Sequence, residues 1–440
     1  MSVAEDLAQR RETVWINPEK ECIHERQKVN GFGFVYVQEA QNRFMRFLPY
    51  IAEAFPETAA KKGVIESPLL PIPEMKAYLN ERGAGLKGSL YLKDDAHLPI
   101  AGSVKARGGI NAVLKIAERL ALKEKHLRPD EDYRIFASEE YKKLFGEYTI
   151  QVGSTGNLAL SIGRMSAKLG FRAIVHMSRD AKEWKKELLR SEGVVVKEYD
   201  GDYGTAVANG RRESQGDPKC FFIDDENSQD LFFGYSSAAV RLKVQLYKAG
   251  IEVNREHPLF VYLPCGVGGA PGGIAFGLKQ VFGENVHCFT AEPVEAPCMI
   301  LGLSSGRLSG ISVYDIGLSG KTEADGLAVG RASEFASAMM KPILSGAATV
   351  SDEYLLEMQR VLYEKEGIFA EPSACAGFSC VRSICLPGTP WEEYLIDHDC
   401  IDYMDSACHI VWSTGGGLLE KELRKQGLLK EMLDINGGPH

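Results

Sequence analysis

Leu263-Pro264-Cys265-Gly266-Val267-Gly268-Gly269-Ala270-Pro271-Gly272-Gly273 decides how the rest of this 440-residue chain is read. The apolar run Leu259–Leu263 has the character of a buried strand, and the spacing from Gly273 to Val281 is helical, so the glycines form a strand-to-helix turn. Without side chains at Gly266, Gly268 and Gly269, backbone N–H groups can converge on an anion, and the start of the following helix adds its dipole. That is the chemistry of a phosphate cup, although a purely structural glycine turn has the same composition. Two nucleotide readings are disfavoured. Pro271 stands three after Gly268 and breaks Gly-x-Gly-x-x-Gly, and the Gly-Lys-Ser/Thr ending of a P-loop is missing.

Outward from this turn, short apolar runs alternate with longer amphipathic stretches, the mark of βα units and a mainly parallel sheet. Strands are expected at Ser89–Lys93, Arg172–Met177, Val194–Glu198, Leu259–Leu263, Val286–Ala291 and His409–Ser413. Helices are expected at Leu158–Leu169, Ala181–Ser191, Ala238–Tyr247, Gly273–Val281 and Ser351–Lys365. Two further glycine turns, Gly153–Asn157 and Thr414–Gly417, also sit at strand ends, where open α/β sheets carry ligands. Two stretches read as peripheral by composition: the first 60 or so residues, and a charged insertion from Glu118 to Glu147.

Bulk properties exclude several classes of function. The length suits two domains sharing a cleft. A net charge of -9 from interspersed residues gives no basic stripe, so nucleic acid is not an expected partner. No apolar run approaches the ~20 residues of a membrane span, and Met1–Lys20 lacks a secretory core, so a cytoplasmic location is expected. The ten cysteines form no Cys-x-x-Cys pair, and the five-residue spacing of Cys375, Cys380 and Cys385 suits neither a zinc cluster nor one helix face; reduced, mostly buried thiols are expected.

Three other segments carry candidate chemistry. Gly102-Ser103-Val104-Lys105-Ala106-Arg107-Gly108-Gly109 places Lys105 at the opening of a helix. A lone lysine there is usually solvated, but beside a phosphate cup its amine can form a Schiff base with an aldehyde cofactor once its pKa is lowered. Val152-Gly153-Ser154-Thr155-Gly156-Asn157 precedes another helix, and its hydroxyls and free N–H groups serve equally well as a helix cap or as a carboxylate site. Val411-Trp412-Ser413-Thr414-Gly415-Gly416-Gly417 ends the last apolar strand with two hydroxyls and three glycines.

Ser-x-Lys, Ser-Thr-Gly-Asn, the glycine-rich cup and the late Ser-Thr-Gly-Gly-Gly, in this order, resemble the fold-type II pyridoxal-phosphate enzymes, which include serine and threonine dehydratases and the tryptophan synthase β chain. Ser103–Gly109, Val152–Asn157, Phe221-Phe222-Ile223-Asp224-Asp225-Glu226-Asn227-Ser228 and Asp325-Gly326-Leu327-Ala328-Val329-Gly330-Arg331 are closer to one family within that fold, the bacterial D-serine dehydratases. The likeness extends to Asn17-Pro18 and Phe55-Pro56-Glu57-Thr58-Ala59-Ala60 and covers most of the chain. It implies an α/β fold of tryptophan synthase β type, in two layered α/β domains with the active site between them. The large cofactor domain would span residues 1–146 and 232–440, and a smaller one, 147–231, would close on the substrate.

The resemblance also implies roles at matching positions. Lys105 would hold pyridoxal 5′-phosphate, Asn157 would bond its 3′ oxygen, Gly266, Val267, Gly268 and Gly269 would cradle its phosphate, and Thr414 would face its pyridine nitrogen. Ser154, Thr155, Gly156 and Asn157 would bind the substrate carboxylate. Ala270 stands where the family often has glycine, which requires a negative φ there. A monovalent or divalent cation built on backbone carbonyls and a monomeric state are further expectations of the family.

The implied activity is α,β-elimination of D-serine to pyruvate and ammonia, with D-threonine as a possible second substrate. A neutral hydroxyl at the ring nitrogen makes a weak electron sink, which suits prompt loss of a β-hydroxyl better than transamination. In an L-specific enzyme of this fold the released lysine lies on the side of the Cα–H; a D-substrate inverts that relation, so a group other than Lys105, with Asp225 and Thr155 the candidates, is expected to help remove the proton while Lys105 serves the leaving hydroxyl or the phosphate. An L-serine or L-threonine dehydratase, or a β-replacement synthase, would share Lys105 and the loops. An inactive cofactor-binding relative remains open as well.

Overall fold

The computed structural model describes residues 2–154, 156–200 and 203–435, the side chains of 203–206 and 435 excepted. Eleven strands are formed among these residues: β1 Val14–Ile16, β2 Leu69–Pro71, β3 Ser89–Asp94, β4 Thr149–Gly153, β5 Arg172–Ser178, β6 Val195–Tyr199, β7 Cys220–Ile223, β8 Leu259–Pro264, β9 Val286–Pro293, β10 Gly346–Val350 and β11 Cys408–Ser413.

They make two sheets. A seven-stranded sheet has the order β1-β10-β9-β8-β11-β3-β2, and a four-stranded sheet the order β6-β5-β4-β7. Every pairing is parallel except at the two edges of the large sheet, where β1 and β2 run antiparallel. The strands β8 to β11 are buried along their whole length. Covered on both faces, they are continuous apolar runs instead of alternating ones, and this is what made β8, β9 and β11 visible in the sequence. Helices punctuate the strands with familiar stops: the helix Asn157–Leu169 ends at Gly170 with φ 98°, and Asp352–Glu366 at Gly367 with φ 68°, both in the left-handed region glycine adopts without penalty.

Both stretches expected at the periphery are structural instead. In the first 60 residues, β1 pairs with β10, and the helix Phe34–Ala54 buries Phe47, Tyr50 and Ile51. Within 118–147, Tyr133, Phe136 and Phe145 are completely buried. Phe47 meets Tyr133 and Phe136 at ring-centroid distances of 4.8 and 4.7 Å. Glu118 is also buried, bonded to Arg43, Arg46 and Tyr133. The charged composition of this insertion concealed widely spaced aromatics that belong to one core.

The cysteines are free thiols, most of them buried. Among the described residues no helix is long and apolar enough to cross a membrane, and no group of three His, Cys, Asp or Glu side chains is placed to hold a metal ion.

Candidate active site

The carboxyl ends of the parallel strands supply the site, as they do in open α/β sheets. β8 delivers Gly266–Gly269, β11 delivers Thr414–Gly417, and the segment after β3 leads to Lys105, the first residue of the helix Lys105–Lys125. From the smaller sheet, β4 runs into Ser154 and β7 into Asp224 and Asp225.

Lys105 and Thr414 come from opposite ends of the chain and are joined through the backbone. The Val104 N–H donates to the Thr414 carbonyl at 2.8 Å, and Ser103 forms a bridge with Gly415. The Lys105 Nζ lies 3.2 Å from Asp225 Oδ2 and over the Tyr235 ring. Burial alone would pull the ammonium down, but the Asp225 carboxylate outweighs it and holds Lys105 above the usual lysine range. The lowered pKa expected from the sequence is therefore reversed. The reason is a counter-ion that β7 brings from the other sheet, which a linear reading of Ser-x-Lys does not contain.

The glycine turn has the required backbone. Gly268 has φ 104°, and a Cβ there would lie 2.2 Å from Met299 Cε. The helix Gly269–Phe282 starts at once, with Pro271 in its first turn, where no N–H is needed for the helix ladder. Ala270 lies inside that helix and has no positive φ, so its methyl is accommodated. The Asp325–Arg331 segment backs the turn: a Cβ at Gly266 would come within 3.2 Å of the Gly326 carbonyl and of Leu327 Cα.

Asn157 opens the helix Asn157–Leu169 behind Gly156, whose N–H donates to Ser154 Oγ at 3.2 Å. No described side chain caps this helix. Thr155 lies outside the described residues. The Asn157 Nδ2 donates to Glu371 Oε1 at 2.9 Å. Glu371 is a site residue that motif reasoning missed, because one acidic residue in a loop before Pro372 has no pattern. Burial pushes its carboxyl above the usual range. Gly415 admits this pair: a Cβ there would stand 2.2 Å from Glu371 Oε1 and 2.8 Å from Asn157 Nδ2. Asn157, Glu371, Lys182, Lys185 and Asp325 line a cavity of about 130 Å³, and Lys185 stands 3.8 Å from Asp325.

Pyridoxal phosphate fits these residues. The partly buried Lys105 amine is of the kind that condenses with an aldehyde, the glycine turn leaves no space for a side chain at Gly268, and the buried Ser413 Oγ beside Thr414 has no hydrogen-bond partner among the described residues.

Comparison with known proteins agrees with this fit. Residues 60–387 match the family model described as pyridoxal-phosphate dependent enzyme. A probable D-serine dehydratase of Desulfitobacterium hafniense is 50% identical over 430 residues, covering 97% of this chain and 96% of that one. A D-serine dehydratase of Citrobacter koseri is 50% identical over 429 residues, with the same two coverages. Among solved structures, diaminopropionate ammonia lyase from Escherichia coli aligns with TM-score 0.71 at 18% identity, covering 94% of this chain and 96% of its own. Serine racemase from Dictyostelium discoideum aligns with TM-score 0.60 at 19% identity, over 87% and 98%. The structural matches establish the fold, the sequence matches go further, and the chain belongs to the pyridoxal-phosphate dependent enzyme family, in the branch that holds the D-serine dehydratases.

Proposed function

We propose that this chain dehydrates D-serine, giving pyruvate and ammonia, with the water lost from the β-carbon balanced by the water that hydrolyses the product imine. The observation that carries the reading is the Asp225 carboxylate 3.2 Å from the Lys105 amine beside the glycine cup, in a chain half identical to D-serine dehydratases. Pyridoxal phosphate, when bound, supplies the electron sink that lets the Cα–H bond pair move toward the leaving hydroxyl.

The chain's own residues do the rest. Lys105 would supply the amine that holds the cofactor's aldehyde, and Asp225 is the counter-ion beside it. Gly266, Val267, Gly268 and Gly269 offer backbone N–H groups to the phosphate, and Thr414 offers a neutral hydroxyl to the ring nitrogen. Asn157, braced by Glu371, holds the 3′ oxygen. Ser154, Gly156 and Asn157, with Thr155, pin the substrate carboxylate at the start of the helix Asn157–Leu169. For a substrate of D configuration so pinned, the Cα–H points away from the side an L-specific lysine serves. Asp225 and Thr155 are the groups proposed to take that proton, which would leave Lys105 to serve the departing hydroxyl. Residues 147–231 act as a unit that closes on the substrate and excludes water. D-threonine, larger by one methyl, is a second substrate.

The test is direct: the purified protein, supplied with pyridoxal phosphate, is given D-serine and L-serine separately, and pyruvate is measured. Turnover of D-serine in large excess is expected. Equal or faster turnover of L-serine would overturn the assignment in favour of an L-serine or L-threonine dehydratase.

A further inference from the structure

Behind Lys105 lies a buried set of charges that the reaction itself does not use. Asp95, completely buried just after β3, accepts four hydrogen bonds: from Arg107 Nε and Nη2, both at 2.7 Å, from Ser67 Oγ at 2.6 Å and from Trp412 Nε1 at 2.8 Å. Arg107 also donates to Glu66 Oε1 at 2.6 Å. Lys93, likewise inaccessible, donates to Glu66 Oε1, the Ser67 carbonyl and Ser67 Oγ at 2.7, 2.7 and 2.6 Å. Burial would raise the Glu66 carboxyl, yet Arg107 and Lys93 bring it down to about 2.

Such a quartet is weak evidence for stability, because desolvating the charges offsets most of their attraction, and apolar side chains of equal volume often serve as well. Its attachment points suggest another role. Arg107 stands two residues after Lys105 on the same first helical turn, and Trp412 stands two residues before Thr414 on β11. One carboxylate thus grips the helix that carries the lysine and the strand end that carries the threonine. In pyridoxal phosphate the aldehyde carbon and the ring nitrogen sit at opposite ends of one rigid ring. A protein that holds both ends must fix the separation of its two holding groups before the ring arrives.

We infer that Asp95 is a positioning residue: by bonding Arg107 and Trp412 together it sets the separation between the Lys105 amine and the Thr414 hydroxyl, and so the seat and tilt of the cofactor ring. The inference rests on the family-level reading of Lys105 and Thr414, not on the identity of the substrate. The experiment compares Trp412→Phe, which removes only the indole ring edge and its N–H, Asp95→Asn, and Ser67→Ala, which removes a bond to the same carboxylate without detaching either element.

Each variant is saturated with pyridoxal phosphate, and the visible absorption and circular dichroism of the bound cofactor are recorded without substrate, followed by kcat and KM on D-serine. Trp412→Phe is expected to shift the dichroic band and to lower kcat about tenfold with KM within twofold, while Ser67→Ala keeps the wild-type spectrum. Asp95→Asn is expected to exceed Trp412→Phe in both effects; if it does not fold, Trp412→Phe decides alone. An unchanged dichroic band in Trp412→Phe, or an equal change in Ser67→Ala, would overturn the role. The spectrum is read without turnover, so failure of the D-serine assignment and failure of this inference are told apart.

Discussion

At Gly268 the backbone sits at φ 104° with Met299 Cε where a Cβ would have to go. Replacing it by alanine adds two costs: strain of about 1–3 kcal/mol for an L residue held there, and displacement of the buried Met299. Gly268→Ala is expected to weaken pyridoxal-phosphate binding at least about tenfold, measured by fluorescence titration; unchanged affinity would remove the turn from the phosphate site. Lys105→Ala is expected to abolish the borohydride-reducible protein–cofactor adduct along with turnover, and an adduct surviving in that variant would place it on another lysine. For Asp225, loss of a general base is worth about 10²–10⁴ in rate. Asp225→Asn should therefore lower kcat on D-serine by at least about a hundredfold, and Thr155→Val is its companion. If both variants keep wild-type rates and the same isotope effect with Cα-deuterated D-serine, proton removal belongs to Lys105 acting on a reoriented substrate.

Between elements, His97 ties the end of β3 to the helix Gly417–Gln426. Its Nδ1 lies 2.8 Å from Asp94 Oδ2 and its Nε2 2.8 Å from Glu420 Oε2. The Asp94 hydrogen bond raises the imidazolium to about 9 against the opposing effect of burial, with Glu420 adding to the rise. Because the folded value exceeds the unfolded one near 6.5, the contribution to stability is complete below about pH 6.5 and is lost as pH climbs through about 9. The difference in thermal midpoint between wild type and His97→Gln should thus be largest at mildly acidic pH and shrink steadily toward pH 9. A difference independent of pH across that range would show that the ring acts only by packing. The glycine turn Thr414–Gly417 sits directly ahead of this helix, so the same contact steadies one wall of the cavity.

Across the whole molecule, the candidate site belongs to neither sheet alone. β7 and β4 of the small sheet bring Asp225 and Asn157 to Lys105, Thr414 and Glu371 of the large one, and Lys185 reaches Asp325 over the cavity at 3.8 Å. The proposed closure of residues 147–231 on the substrate has a measurable consequence. D-alanine can occupy the site but has no β-hydroxyl to lose. Adding it to the cofactor-loaded protein should slow amide hydrogen exchange in the helices Asn157–Leu169 and Glu183–Ser191, and unaltered exchange in both would argue against closure.

Periodicity and turn chemistry were enough to identify the α/β class, the strands that became β3, β5, β6, β8, β9 and β11, and the three glycine turns. These are local matters: a doubly covered strand is one apolar run, and a backbone that must approach an anion needs glycine. Order along the chain was also legible, which is why Lys105, Asn157, Gly266–Gly269 and Thr414 could be named together before any contact was known. What the sequence could not show depends on meetings between distant segments. The buried aromatics of 118–147, the carboxylate of Glu371 against Asn157, the ammonium of Lys105 held up by Asp225, and the grip of Asp95 on Arg107 and Trp412 have no period and no motif. A charge has its meaning from the desolvation and the partner it meets, and both are properties of the folded arrangement, so only the tertiary structure decided them.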